Sequence, residues 1–222
     1  GRKVGAACGR LLIPCTLELG GKDAMIVCAD ADLDAAAKGA LFGSCMNTGQ
    51  FCCGTERNYA VDAIHDAFVE KVVAGARELR QSDHGEFDVG AIFWDRQLGI
   101  IERHVDEAKA QGATVRVGGR RNPSLTGLYY EPTVVTDVTH DMALMRDETF
   151  GPVLSIMRVR DEEEAIRLAN DSRYGLSGNV WTRDKRKGME LAMRMDTGSV
   201  CVNDMSLIYG AAPAPFGGRK ES

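Results

Sequence analysis

Four short segments carry side chains that could do chemistry. In Gly49-Gln50-Phe51-Cys52-Cys53-Gly54 a cysteine sits in a glycine-bounded loop just past a helical pattern. A thiolate there is a nucleophile, and nearby backbone amides can help hold its charge. The same cysteine could equally be a small buried hydrophobe, the usual place of a solitary thiol. In Leu17-Glu18-Leu19-Gly20-Gly21-Lys22 a carboxylate lies between two leucines of a strand-like run. Half-burial would raise its pKa and make it a base near neutral pH; pairing with Lys22 or an arginine would leave it an ordinary ion. Glu148-Thr149-Phe150-Gly151-Pro152-Val153 sets an acid and an aromatic on a turn forced by Gly-Pro ahead of a strand. The pair suits a ribose and a flat ring, or is a surface acid beside a core aromatic. Ala214-Pro215-Phe216-Gly217-Gly218-Arg219-Lys220 reads as a rigid exposed loop that could line a pocket, or as a plain connection.

These segments need a frame, and the pattern around them alternates strand and helix. Residues 15–19 and 24–28 read as short buried strands separated by the Gly20-Gly21 turn. Asp30 and Asp32 supply cap and first-turn charge to a helix with apolar or small residues at 33, 36, 37, 40, 41, 44 and 45, and Gly49 is placed to end it. Residues 57–61 form a strand, and Ile64, Phe68, Val72, Ala76 and Leu79 mark one helix face. A further helix covers 94–110. Residues 113–117 and 129–135 are strands, the second an edge or irregular one because of Pro132. Strands over 153–159, 176–182 and 199–203 follow, with helices near 161–170 and 185–195 between them. Asp161 and Glu164 have the spacing of a capping box. The fold class expected is α/β, one domain with a largely parallel twisted sheet flanked by helices.

The chain has 222 residues, 44% of them hydrophobic, enough for a substantial core. Its formal charge of −5 is not gathered into runs, and no basic stripe suggests nucleic acid. No apolar run approaches the ~20 residues of a membrane helix. Seven cysteines without framework spacing point to a reducing compartment, hence the cytoplasm. No Cys-x-x-Cys pair occurs and the four histidines are scattered, so no metal site is expected.

Taken in order, the segments resemble one family closely, the aldehyde dehydrogenase superfamily. Leu17-Glu18-Leu19-Gly20-Gly21-Lys22 resembles its glutamate signature. Asn47-x-Gly49-Gln50-x-Cys52, followed by Arg57, resembles its cysteine signature, and Cys52 follows Glu18 by 34 residues, a spacing that fits. Glu148-x-Phe150-Gly151-Pro152 resembles its cofactor-contact motif. Asn170, Tyr174-Gly175-Leu176-Ser177 and Phe216-Gly217-Gly218-x-Lys220 continue the match, so the resemblance covers essentially the whole chain.

The resemblance implies roles. Cys52 attacks an aldehyde to give a thiohemiacetal, hydride leaves to NAD or NADP, and Glu18 activates the water that hydrolyses the thioester. The Cys52 amide is one oxyanion donor; the family's second is an upstream asparagine. Glu148 and Phe150 contact the nicotinamide ribose and ring, with Gly20 beside them, whereas the looser match near Gly90-Ala91 leaves Gln97 outside the expected site. Residues 204–210 contribute to the aldehyde pocket. The partner is a small-molecule aldehyde, and the full-length protein is a homo-oligomer, a dimer or tetramer. Only sixteen residues precede Leu17 and no Gly-x-Gly-x-x-Gly occurs. Residues 1–222 are therefore expected to be a catalytic domain without its N-terminal cofactor-binding half and C-terminal tail, binding the cofactor weakly or not at all. Two other readings stand beside this one: an enzyme that passes the thioester to coenzyme A, which Glu18 disfavours, and a structural or binding domain that keeps only the fold.

Overall fold

Short strands rich in β-branched residues, with helices between them, bury both faces best as a parallel sheet between two helical layers. That arrangement is seen in the computed structural model, which describes residues 1–205, 210 and 213–222. The first half contains α1 (Arg2–Leu11), β1 (Asp23–Val27), α2 (Leu33–Cys45), β2 (Thr55–Val61), α3 (His65–Glu78) and α4 (Asp95–Ala110). Then come β3 (Thr114–Val117), β4 (Thr133–Thr136), α5 (Ala143–Arg146), β5 (Val153–Val159) and α6 (Glu162–Asn170). The remainder is β6 (Tyr174–Gly175), β7 (Ser177–Trp181), α7 (Lys185–Ala192), β8 (Ser199–Val202) and β9 (Arg219–Lys220).

Seven strands form the main sheet in the order β3-β4-β5-β2-β1-β7-β8. All neighbours are parallel except β3, which runs antiparallel to β4. Strand alternation sends Ala24 and Ile26 of β1 to one face and Met25 and Val27 to the other. On the first face Leu98, Ile101 and Val105 of α4, Ile166 of α6 and Leu191 of α7 complete the core. On the second, Ala36, Ala37 and Ala40 of α2 pack beside Phe68, Val72 and Val73 of α3. The α/β fold class expected from the sequence is therefore the one observed.

Several local expectations are corrected. Residues 15–19 are not a strand. Leu17 and Leu19 turn onto α1 instead: a Cβ at Gly5 would lie 3.5 Å from Leu17, and Gly1 sits closer still to Leu19. Asp32 caps α2 through the amides of Asp34 and Ala35, at 3.1 and 3.2 Å. Asp30 serves elsewhere, accepting from Thr182 Oγ1 at 2.8 Å and Lys187 Nζ at 2.6 Å, which ties the end of β1 to α7. Helix α2 stops at Cys45, before Gly49. β4 begins only after Pro132, which has no N–H to give a ladder. The 161–170 helix is capped as expected, Asp161 accepting from the Glu164 amide at 2.8 Å.

One buried cation joins the two sides of the first face. Arg57 is 3% exposed. Its Nε donates to the Lys22 carbonyl at 2.7 Å, and its Nη atoms reach the Leu168 and Ala169 carbonyls at 3.1 Å each. Those carbonyls end α6, where a cation is favoured and acceptors otherwise lack partners. The planar fork matters, because an ammonium cannot span all these oxygens. Arg57→Lys is expected to destabilise the fold by about 2 kcal/mol through buried carbonyls left without donors. Urea denaturation measures this, and an unchanged midpoint would show that the carbonyls find other partners.

Candidate active site

The glutamate segment precedes β1, the cysteine loop precedes β2, Glu148-Thr149-Phe150 precedes β5, and β6 precedes β7. These four strands are neighbours in the order β5-β2-β1-β7 and run parallel. Their leading loops therefore gather at one place, the amino edge of the sheet.

The cysteine loop has an unusual backbone. After α2, Asn47, Thr48 and Gly49 all lie in the left-handed region, with φ of 49°, 62° and 69°. For a β-branched threonine this costs on the order of 1–3 kcal/mol. Side chains hold the shape. Asn47 Nδ2 donates to the Gln50 carbonyl at 2.9 Å, and Thr48 Oγ1 accepts from the Gly90 amide at 3.0 Å. Gln50 docks the loop on residues 90–93, accepting from the Phe93 amide at 2.8 Å and donating to the Ala91 carbonyl at 3.2 Å. Position 49 has no room for a side chain: a Cβ would lie 2.1 Å from the Gly151 carbonyl oxygen.

Cys52 emerges from this loop half-buried, its sulfur 3.8 Å from that of buried Cys53. A hydrogen bond from Cys53 is the largest influence on the Cys52 thiol, and the amides of residues 52 and 53 add to it. Together they outweigh burial and the opposing charge of Glu18, and bring the pKa down to about 6. In contrast, burial pushes the thiols of Cys28 and Cys45 up to about 12.

Glu18 lies close enough for its charge to act on that sulfur. Its carboxylate is exposed, contrary to the half-burial expected, because the flanking leucines turn aside to α1 and no strand encloses it. The backbone beyond it is tightly held. A Cβ at Gly21 would lie 2.2 Å from the Cys52 carbonyl oxygen, so the two motifs touch backbone to backbone. Gly20 stands against Glu148, where a Cβ would fall within 2.4 Å of its Oε2. The Gly21 amide donates to Glu148 Oε1 at 2.9 Å. Burial is the main reason that the Glu148 carboxyl is pushed up to about 7.

Beneath these loops lies a charge pair that nothing in the sequence pattern pointed to. Lys22 Nζ pairs with the Glu56 carboxylate, and both side chains are buried. Asp23 is buried too, bonded to the amide and hydroxyl of Ser177, and desolvation raises its pKa to about 8. A lysine following Gly-Gly and a glutamate before an arginine look like surface ions in sequence; both are buried in the fold, Lys22 just before β1 and Glu56 within β2.

Glu148 and Phe150 line a cavity of about 560 Å³ together with Gln97, His104, Phe93 and Trp94. Gln97, left outside the expected site, thus belongs to this cleft, and its Nε2 donates to the Thr149 carbonyl at 2.7 Å. The C-terminal motif also arrives. β9 pairs with β6, Lys220 Nζ donates to the Asn170 carbonyl at 3.0 Å, and Gly217 stands beside Glu18. The structure therefore brings Cys52, Glu18, Gly20, Glu148 and Phe150 to one edge. Of residues 204–210, expected to shape an aldehyde pocket, 206–209 lie outside the described residues.

The model of the aldehyde dehydrogenase family matches residues 1–222. The chain belongs to the aldehyde dehydrogenase family. It is 42% identical over 224 residues to a succinate-semialdehyde dehydrogenase [NADP(+)] of Mycobacterium leprae, covering 100% of this chain and 48% of that protein. A Mycobacterium tuberculosis aldehyde dehydrogenase solved with NAD+ superposes with a TM-score of 0.93 at 38% identity, over 100% of this chain and 46% of that one. An NAD-dependent aldehyde dehydrogenase of Sinorhizobium meliloti gives 0.92 at 36%, over 100% and 44%. The chain spans less than half the length of the curated relatives it matches.

Cys52 is expected to react ahead of the buried thiols of Cys28 and Cys45. Only the thiolate reacts, so iodoacetamide labelling of Cys52 should rise with pH through about 6 and level off above it. Peptide mapping at pH 7 should find Cys52 modified while Cys28 and Cys45 remain protonated. Glu18→Gln removes an opposing charge and should move the midpoint lower still. An unmoved midpoint in that variant would mean that the carboxylate and sulfur do not face each other.

Proposed function

We propose that the protein containing these residues oxidises an aldehyde to a carboxylic acid, with NAD or NADP taking the hydride. The observation that carries this reading is the ionisable Cys52, packed through its carbonyl on Gly21, within reach of the Glu18 charge, while the adjoining Gly20 packs on Glu148 of the cleft. The cleft suits a nicotinamide cofactor: Glu148, half-buried against Gly20, and Phe150 both line it, an acid beside an aromatic ring. Relatives named for NADP and one solved with NAD+ agree with either cofactor.

Cys52 forms a bond from sulfur to the carbonyl carbon, and the carbonyl electron pair moves to oxygen. The Cys52 amide, which held the thiolate charge, is then placed to hold that of the oxyanion. As the oxyanion pair re-forms the carbonyl, the carbon–hydrogen bond breaks and a thioester remains on Cys52; a nicotinamide cofactor, when bound in the cleft, would supply the hydride acceptor. Glu18, exposed and so open to water, takes a proton from the water molecule that adds to the thioester. Collapse of that adduct breaks the carbon–sulfur bond, frees the carboxylic acid and restores the Cys52 thiolate. The presence of Glu18 favours water over coenzyme A as the acyl acceptor. Glu148 and Phe150 orient the nicotinamide end. Seven cysteines without framework spacing accord with a reducing, cytoplasmic setting. No helix among the described residues is long and apolar enough to cross a membrane. A homo-oligomer, dimer or tetramer, is proposed for the full-length protein from the resemblance.

The 222-residue chain alone should be acylated but should not turn over NAD, since it has no dinucleotide fingerprint. With a nitrophenyl ester it is expected to release a burst from Cys52 that Cys52→Ser abolishes. Glu18→Gln should keep the burst and slow the following steady phase by about 100-fold. A folded chain without a burst would count against a preformed site. NADH production by the chain at a rate typical of an intact enzyme would overturn the proposed division of labour.

A further inference from the structure

Glu56 has no part in the chemistry proposed above, yet its carboxylate is committed on both oxygens. Oε1 accepts from the amides of Phe150 at 2.8 Å and Thr149 at 3.1 Å. Oε2 accepts from the Thr149 amide at 2.8 Å and pairs with Lys22 Nζ. Lys22 is fully buried and Glu56 is 5% exposed, so these contacts are shielded from water. The other polar groups of Thr149 are held separately, the carbonyl by Gln97 and the hydroxyl by Lys22 and His104. Glu56 is thus the acceptor for the two amides that define the turn. Phe150 stands there with φ of 51°, a left-handed conformation that a bulky residue does not choose unaided.

We propose that Glu56 is a positioning residue for the nicotinamide cofactor, acting by holding the Thr149 and Phe150 amides and so fixing the Glu148–Phe150 turn over the cleft. This rests on the reading of that cleft given under Proposed function. Two clamps from neighbouring strands bear on the turn. The Gly21 amide, just before β1, holds the Glu148 carboxylate. Glu56, on β2, holds the backbone that follows. Without the second clamp Phe150 can relax to negative φ, which swings its ring and Glu148 away from their present places. The competing possibility is that Lys22 and Glu56 are a buried ion pair serving stability alone.

Two double variants of the full-length protein separate these roles. Lys22→Met/Glu56→Leu and Lys22→Met/Glu56→Gln both remove the ion pair, so neither leaves a lone charge in the core. Only glutamine keeps an oxygen for the two amides. The leucine variant is expected to raise KM for the cofactor about tenfold, the worth of a lost hydrogen bond to a charged group. It should also speed deuterium uptake across residues 148–151. Glutamine should recover most of both effects, while Cys52 alkylates at equal rates in the two variants. Equal cofactor KM values would overturn the proposal, because a purely stabilising pair is missing from both alike. Faster exchange with an unchanged KM would also overturn it. Should the leucine variant fail to fold, Glu56→Asp keeps the charge but withdraws the carboxylate by one methylene. A raised cofactor KM then supports the proposal and an unchanged one defeats it. A wild-type protein that binds no NAD or NADP in a fluorescence titration would instead defeat the reading of the cleft itself.

Discussion

Everything at the amino edge of the sheet depends on backbones packed without side chains between them. Gly21 touches the Cys52 carbonyl, and Gly49 touches the Gly151 carbonyl, at distances no Cβ could share. Three loops that arise from separate strands are thereby locked together through main-chain atoms, which cannot change rotamer. A side chain at either position would separate them, and the sulfur would lose its fixed relation to the Glu18 segment or to the cofactor-side turn. Preorganisation here comes from the absence of side chains as much as from the presence of reactive ones.

The placement also departs from a common pattern. In open parallel sheets, ligands usually bind outside the carboxyl ends of the strands. Here the motif residues Glu18, Cys52 and Glu148 precede β1, β2 and β5, at the opposite end. The carboxyl ends are occupied differently. Asp30, just past β1, is tied to Thr182 just past β7 and to Lys187 of α7. One edge of the sheet is closed by polar cross-links, and the other is kept for chemistry.

Much of this was legible in the residues. Helical periodicity located α2, α3 and α4, since an apolar face recurring at 3.6-residue spacing matches the helical repeat and not the strand's, and the capping-box spacing of Asp161 and Glu164 located α6. Val153–Val159 matched to the residue, because Gly-Pro bounds it on one side and the Asp161 cap on the other. The motif residues Cys52, Glu18, Gly20, Glu148 and Phe150 do share one edge. The failures have physical causes. Residues 15–19 have strand-like alternation, but alternation cannot tell a sheet partner from a helix, and α1 takes the leucines. Asp30 and Asp32 are equivalent as local caps; only the approach of α7 assigns Asp30 elsewhere. Lys22, Asp23 and Glu56 were invisible because charge in sequence implies exposure, and their burial depends on partners brought from other segments, Lys22 with Glu56 and Asp23 with Ser177.

That concentration of acids raises an electrostatic problem, and the structure resolves it by unequal solvation. Glu18, Asp23, Glu148 and the Cys52 thiol all lie within one another's fields or a single neighbour's reach. They cannot all be ionised cheaply. Desolvation falls hardest on Asp23 and Glu148, which are pushed up to about 8 and about 7. Cys52, half-exposed and hydrogen-bonded by Cys53 and two amides, ionises in their place, against the charge of exposed Glu18. The coupling is reciprocal: the thiolate charge helps keep Asp23 and Glu148 protonated, and their protonation eases formation of the thiolate. On the proposed chemistry, the negative charge passes from sulfur to the carbonyl oxygen when the thiolate adds, and it leaves the site only with the hydride. The carboxyls therefore lose a repulsive neighbour at the thioester stage, when Cys52 is neutral. Burial of Asp23 and Glu148 thus becomes part of what lets the Cys52 thiol ionise.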